Sequence, residues 1–313
     1  MKYLTLGRAG LKVSAIGLGT NNFGGRADKA ASIATIHAAL DAGVTLLDTA
    51  NTYAGGNSET IIGEALQGRR HQALVATKAG MKVGDTWADT GSSRLHLFRE
   101  LESSLRRLST DHVDLYQIHR FDAETPLEET LRALDDMVRQ GKVRYIGASN
   151  YAAWQLMKAL AISERSGFVR YDSVQPEYSL ANRAVERELV PLCLDQGVGL
   201  IPYFPLAGGI LTGKYRRGEQ PPAGSRFSAP AMAARLQDER RMALSEGVVA
   251  VAADVGCTPA QLALAWLLHQ KAVCSVISGA TRPAQVEENV GALDVHLSED
   301  VLKRLDELSR AFV

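Results

Sequence analysis

Apolar residues in this chain fall into short runs, each closed by a polar residue and followed by a longer stretch with helical spacing. Tyr3 to Val13 alternates around the turn-forming cluster Gly7-Arg8-Ala9-Gly10 and predicts a hairpin ahead of the main fold. The regular alternation then begins. Ala15 to Gly19 reads as a strand and Lys29 to Ala42 as a helix. Thr45 to Thr49 is the next strand, and the helix Ser58 to Leu66 carries Glu59 in its first turn, where the helix dipole favours an acid. Ala73 to Thr77 is a strand ending at Lys78, and a polar loop through Trp87 leads to a helix from Arg94 to Leu108.

The second half repeats the pattern. Val113 to Ile118 is a strand ending at His119 and Arg120, and the helix Leu127 to Gln140 stops at Gly141. Val143 to Ala148 is a strand ending at Ser149-Asn150, and Ala152 to Arg165 is helical. Asp172 to Val174 reaches Gln175, a helix covers Arg183 to Gln196, and Gly199 to Tyr203 is the seventh strand. From Leu206 to Ala234 the chain is rich in Gly and Pro and too long for a routine connection, which marks it as functional or mobile. Helices follow at Asp238 to Val255 and Pro259 to Leu268, then the strand Val273 to Ile277 and a helix from Pro283 to Ala292. A closing helix spans Ser298 to Ser309, with Ser298 as its N-cap. Eight strands, each followed by a helix, with no composition break, predict one α/β domain over residues 1–313. The expected architecture is a (β/α)8 TIM barrel with an N-terminal β-hairpin and extra C-terminal helices. A Rossmann fold competes, but Gly17-Leu18-Gly19-Thr20-Asn21-Asn22 breaks the dinucleotide fingerprint at its third glycine.

Composition narrows the function. Of 313 residues 46% are hydrophobic and 22% charged, as in ordinary globular proteins, and Lys plus Arg equals Asp plus Glu at 35 each. That balance gives no global field toward nucleic acid or an anionic membrane. The first residues lack the apolar core of a signal peptide, and the longest apolar candidate, Ala260 to Leu268, is well short of a membrane span. A cytoplasmic protein is expected. Cys193, Cys257 and Cys274 are scattered without a CxxC pair, so they read as thiols in a reducing compartment, with no structural metal.

In a closed parallel barrel the strand C-termini share one face, and the polar residues stranded there include Asp48, Tyr53, Lys78 and His119. Each has a plain structural reading of its own, as a turn cap, a solvent-facing lysine or a core-edge histidine. Together they have a chemical logic. A phenol has a reference pKa near 10, and a close ammonium favours its phenolate. Lys78 can supply that charge, Asp48 can hold Lys78, and His119 can orient a carbonyl oxygen beside Tyr53. Such a set delivers a proton to oxygen with no nucleophile and no metal, as carbonyl reduction requires.

The four residues, within LLDTANTY, VATK and DLYQIH, resemble the catalytic tetrad of the aldo-keto reductases, and the resemblance spans essentially the whole chain. It implies Tyr53 as general acid, tuned by Lys78 and Asp48, with His119 orienting the substrate. It also implies a nicotinamide cofactor. Gly19, Thr20 and Asn21 match the first loop near the nicotinamide ribose, where Asp48 also lies. Ser149, Asn150 and Gln175 match the carboxamide contacts, and Tyr203 matches the stacking aromatic. Phe204 stands where serine is frequent, so a hydroxyl contact is lost there. Pro205, Leu206, Gly208 and Lys214 match the loop over the pyrophosphate.

In the last segment Gly279 and Ala280 replace residues that are lysine and serine in other members, but Thr281 and Arg282 remain. The guanidinium of Arg282 suits a 2′-phosphate, with Gln285, Glu288 and Asn289 near the adenosine. NADPH is therefore the expected cofactor, with NADH as the alternative.

GGILTGK, from Gly208 to Lys214, has Walker A spacing, but Tyr215 stands where a Ser or Thr would reach magnesium, so a phosphate clasp is the stronger reading. A small carbonyl compound is the expected substrate. Its identity would be set by Asn22-Phe23, Met81 to Gly91 with Trp87, Arg120-Phe121, and Gly218 to Ala234; Phe23 and Trp87 could wall an apolar pocket, with a surface-loop tryptophan packed on its neighbours as the alternative for Trp87. The alternative function is a cofactor-binding regulatory protein similar to potassium-channel β-subunits. A metal-assisted barrel lyase or hydrolase is a third class, with only Asp48 and Glu177 as strand-end carboxylates.

Overall fold

The computed structural model describes residues 1–222, 225, 227 and 238–313. Strands β1 (Tyr3–Thr5) and β2 (Lys12–Ser14) pair antiparallel, Tyr3 opposite Ser14 and Thr5 opposite Lys12. The turn between them needs Gly7. Its φ is +56°, and a Cβ there would lie 2.5 Å from the Gly197 carbonyl oxygen. Leu6 and Val13 from this hairpin join one buried cluster with Leu46, Ala76, Leu115, Ile201, Cys274 and Ile277, which lie on or beside the barrel strands. The hairpin thus packs into the barrel and plugs one end.

The barrel strands are β3 (Ile16–Gly19), β4 (Leu46–Asp48), β5 (Leu74–Ala79), β6 (Val113–Ile118), β7 (Val143–Ser149), β8 (Ser173–Gln175), β9 (Gly199–Leu200) and β10 (Val276–Gly279). From β3 to β9 each pairs in parallel with the next, and β10 pairs in parallel with β3. The ring closes between β9 and β10 through a Leu200–Val273 bridge and through Ile277 N–H donating to the Pro202 carbonyl at 2.9 Å. This is the expected α/β barrel.

Helices surround it: α1 (Lys29–Asp41), α2 (Asn57–Ala65), α3 (Arg94–Leu108), α4 (Leu127–Arg139), α5 (Ala153–Ser166), α6 (Leu189–Gln196), α7 (Glu239–Val255), α8 (Pro259–His269), α9 (Pro283–Val290) and α10 (Glu299–Ser309). Helix α4 shows how sequence makes them. Leu127, Leu131, Leu134 and Met137 recur on one face and are buried, Glu128 and Glu129 sit in the first turn, and Arg139 sits in the last. Gly141 ends it in the left-handed region at φ +73°. Burying each of those large apolar side chains contributes roughly 1.5–3 kcal/mol. Ser298 caps α10 as expected, accepting from Val301 N–H.

Three sequence expectations change. The helix from Arg183 to Gln196 is a 3-10 turn at Ala184–Glu186 followed by the shorter α6. Pro191 supplies no amide and is tolerated only in a first turn, so the helix restarts at Leu189. Arg183 is drawn instead toward the closing helix, 2.7 Å from Asp306 and 2.7 Å from Ser309 Oγ. The seventh strand stops at Leu200, ahead of Pro202, and the eighth runs later than expected, from Val276. Glu59 lies in the first turn of α2 as expected, and it is buried there, bonded to Thr77 Oγ1 and 2.7 Å from Arg107 Nε. The part of the Leu206 to Ala234 loop at residues 223, 224, 226 and 228–234 lies outside the described residues.

Among the described residues no single helix is long and apolar enough to cross a membrane; the apolar pair α7 and α8 is bent by 90° at their junction.

Candidate active site

The end of β4 places Asp48 at the barrel rim, and the following turn carries Tyr53. Lys78 is the fifth residue of β5, and His119 follows the last residue of β6. Because the strands are parallel and adjacent, these side chains meet. Lys78 Nζ donates to both carboxylate oxygens of Asp48 at 2.8 Å, to the Thr49 carbonyl at 2.9 Å and toward Tyr53 Oη at 3.4 Å. Lys78 is 0% exposed, so this is a buried ion pair with its charge offset on the spot. The His119 and Tyr53 rings meet edge-on, with centroids 6.0 Å apart.

Electrostatics refine the expected logic. The Tyr53 phenol lies above its ordinary value: burial dominates, Lys78 opposes it, and Asp48 adds to the rise. The expectation that Lys78 would leave Tyr53 acidified is therefore corrected, since desolvation of the phenolate outweighs the ammonium. Lys78 is itself raised, because burial against it is overcome chiefly by Asp48. His119 is lowered to about 3 by burial, with Lys78 and Arg120 adding to the effect, so its imidazole is neutral at neutral pH. Its buried Nδ1 has no hydrogen-bond partner.

A hydrogen-bonded chain runs from the ion pair to the opposite rim. Gln175 Nε2 donates to Asp48 Oδ1 at 2.8 Å, and Ser149 Oγ donates to the Gln175 carbonyl at 2.9 Å. Asn150 Nδ2 donates to Ser149 Oγ at 3.0 Å and to the His119 carbonyl at 3.0 Å. Tyr203 Oη then donates to Asn150 Oδ1 at 2.8 Å. Asn150 holds φ +56°, which asparagine tolerates. Gln117 Nε2 also reaches Asp48 Oδ1, at 3.4 Å. That residue escaped the sequence reading, although a glutamine two positions before His119 on an apolar strand shares its face.

A cavity of about 370 Å³ opens over these residues. Asp48, Tyr53 and His119 line it, while Lys78 stands behind them. Gly19, Thr20, Asn21, Ser149, Asn150, Gln175, Tyr203, Phe204, Pro205, Leu206, Gly208, Lys214, Gly279, Thr281 and Gln285 line it as well. So do Asn22, from the expected substrate loop, Ala280, from the segment expected at the adenosine, and Arg26, Gly209, Thr212 and Ile277, which the sequence did not single out. Arg282, Glu288 and Asn289 lie outside the lining: Arg282 is exposed at the start of α9, Asn289 is buried, and the Glu288 carbonyl accepts from Gln261. Phe23 is 0% exposed in the core and Trp87 is 86% exposed, so neither walls the cavity.

The segment after β9 bends through left-handed residues, Phe204 at φ +52°, Ala207 at +49°, Gly208 at +72° and Gly209 at +107°. A bulky residue held there stores strain at the rim. A Walker A loop would open an α-helix at its lysine. Here Lys214 leads into irregular chain, which removes the nucleotide-hydrolase reading of GGILTGK. Among the described residues no three metal-ligating side chains come together.

The model of the aldo/keto reductase family matches residues 15–310. The chain belongs to that family. Among its relatives is the uncharacterized oxidoreductase YrpG of Bacillus subtilis, 38% identical over 98% of this chain and 96% of that protein. The probable voltage-gated potassium channel subunits beta of rice and Arabidopsis thaliana are 40% and 38% identical, each over 94% of this chain and 92% of the relative. For an aldo/keto reductase the cavity suits an extended, anionic, aromatic-bearing cofactor. The Tyr203 ring offers an aromatic face, Gly19, Gly208 and Gly279 allow close backbone approach, and Lys214 supplies positive charge.

Proposed function

We propose that this protein is an oxidoreductase that reduces an aldehyde or ketone to the alcohol, using NADPH, with Tyr53 as the general acid. The observation that carries the reading is the placement of the Tyr53 phenol in the cavity wall, 3.4 Å from a lysine locked by a buried carboxylate. When bound, the nicotinamide would supply the hydride. The chain's own residues do the rest. Tyr53 keeps its proton through neutral pH because burial raises it, so the acid form is the resting form. As the carbonyl oxygen gains charge and takes the proton, the Lys78 ammonium stabilises the phenolate left behind. Asp48 keeps Lys78 charged, and Gln175 and Gln117 hold Asp48.

Neutral His119 can donate one hydrogen bond to the substrate oxygen without competing as an acid. Asn150, Ser149 and Gln175 would hold the carboxamide, Tyr203 would stack on the ring, and the Pro205 to Lys214 segment would cover the pyrophosphate. Arg282, with Thr281 and Gln285 beside it, favours NADPH over NADH through the 2′-phosphate.

The test is Tyr53→Phe, followed by NADPH oxidation with a panel of aldehydes and ketones. Loss of turnover with retained NADPH binding supports the mechanism, and near-wild-type reduction overturns it. Similarity to proteins named as potassium channel subunits supports a second reading, a cofactor-binding regulatory partner. Cofactor binding without turnover on any carbonyl in the panel would favour it.

A further inference from the structure

We infer that Glu100 and Arg107 of α3 are positioning residues that fix the Tyr53 turn beside Lys78. Their role rests on Tyr53 as the general acid proposed above, and both stand outside the cavity lining. Directly after Tyr53 the chain passes through three left-handed residues, Ala54 at φ +49°, Gly55 at +63° and Gly56 at +92°. The alanine is strained there. Ala54 and Gly55 are also exposed, and a Cβ built on Gly55 would meet no atom within 4 Å. A strained turn with so little packed against its tip is held at its two ends.

Both ends are tied to one face of α3. Before the turn, Asn51 is buried, and its Nδ2 donates to Glu100 Oε2 at 2.7 Å. After it, Glu59 is buried, and its Oε2 accepts from Arg107 Nε at 2.7 Å. Glu100 and Arg107 stand two helical turns apart on α3, so the helix presents them in line, as a splint would. Arg107 also packs across the turn itself: a Cβ on Gly56 would lie 2.8 Å from Arg107 Cδ.

The same segment is tied to the strand that carries Lys78. Asn51 N–H donates to the Lys78 carbonyl at 3.2 Å, and Thr49 N–H donates to the Ala76 carbonyl at 2.8 Å. The other oxygen of Glu59 accepts from Thr77 Oγ1, one residue before Lys78. Tyr53 and Lys78 thus share one frame of buried polar contacts, and that frame sets the 3.4 Å between phenol and ammonium. Hydrogen bonds to charged groups are strong and directional. Misplacing a reacting group by about 1 Å can lower turnover about 100-fold, so tethers this far from the chemistry still govern it.

The experiment compares wild type with Glu100→Ala, Glu100→Gln and the double variant Glu59→Gln with Arg107→Met. Replacing Arg107 alone would leave Glu59 charged and buried, so the double variant removes both charges and guards against misfolding. Each protein is measured for urea unfolding, for NADPH affinity, and for kcat and KM on the panel aldehyde that wild type reduces fastest. Glu100→Ala is expected to lower kcat about tenfold with KM and NADPH affinity nearly unchanged. Glu100→Gln keeps an acceptor oxygen for Asn51 and should recover most of that loss. The double variant should lower kcat as well, and Glu100→Ala should cost nothing further in a Tyr53→Phe background. Wild-type kcat in either folded variant overturns the role of the residue replaced. A kcat loss that Glu100→Gln fails to recover, or that comes with an equal loss of NADPH affinity, overturns the inference as well. Full activity of Tyr53→Phe would remove the general-acid reading itself, a result that this variant decides alone and the α3 variants do not.

Discussion

Lys78 Nζ lies 2.8 Å from each carboxylate oxygen of Asp48 but 3.4 Å from the Tyr53 hydroxyl. The ammonium is thus anchored by the acid and only leans on the phenol. Burial keeps Tyr53 protonated at rest against the pull of Lys78, and on the proposed mechanism the ammonium holds a positive charge ready for the moment the proton leaves. The balance is sensitive to each member in a different way.

Removing the phenolic hydroxyl should remove the acid and little else. Tyr53→Phe is expected to lower kcat for carbonyl reduction by at least about 100-fold, within the usual range for a general acid. Fluorescence titration should find NADPH affinity within a few-fold of wild type.

Replacing Lys78 strands a charge. Lys78→Met leaves the Asp48 carboxylate buried without its counter-ion, which costs about 3–5 kcal/mol. Denaturant unfolding should show that loss, and Lys78→Met combined with Asp48→Asn should recover part of it. Equal stability of Lys78→Met and wild type would contradict the buried pair.

Two titrations set the pH behaviour. On the proposed mechanism reduction needs the protonated phenol, and the Tyr53 value is raised above its ordinary 10, so the rate should hold through neutral pH and fall only in strongly alkaline solution. Oxidation of an alcohol needs the phenolate and should rise with pH instead. His119 contributes to stability with the opposite sign of slope from a salt-bridged histidine. Its folded value of about 3 is below its ordinary 6.5, so the unfolded chain binds the extra proton between them. Its stabilising contribution is whole above pH 6.5 and is lost as pH falls toward 3. Thermal unfolding of His119→Leu should be less acid-sensitive than wild type across that window.

Gly63 gives a test of the fold alone. A Cβ there would lie 2.7 Å from the Arg107 carbonyl oxygen and 2.8 Å from the Leu108 backbone, where α2 crosses the end of α3. Alanine usually favours a helix over glycine by nearly 1 kcal/mol. Here the clash with backbone should outweigh it, and Gly63→Ala is expected to destabilise by about 1–3 kcal/mol in urea unfolding.

Cofactor choice separates at one side chain. Arg282→Gln should weaken NADPH about tenfold and leave NADH nearly unchanged, if its guanidinium meets the 2′-phosphate. Titration of both cofactors reads this directly, and equal loss for both would return Arg282 to a role at the start of α9.

The sequence by itself determined the barrel and most of its rim. Eight apolar runs, each ended by a polar residue, read out Asp48, Lys78, His119, Ser149 and Gln175, because a strand entering a core must stop where its side chains turn polar. Local breaks were legible only in part. Pro191 was visible, yet its effect on the helix from Arg183 became clear only with Arg183 drawn to Asp306.

What tertiary structure decided is everything that depends on distance and burial. Glu59 keeps its place in the first turn of α2, but only the tertiary structure shows that it is buried against Arg107. Phe23 looked like a pocket wall and became core. The Tyr53 phenol, expected to be acidified by Lys78, is raised, because the free energy of removing a phenolate from water depends on surroundings gathered from strands far apart in the chain.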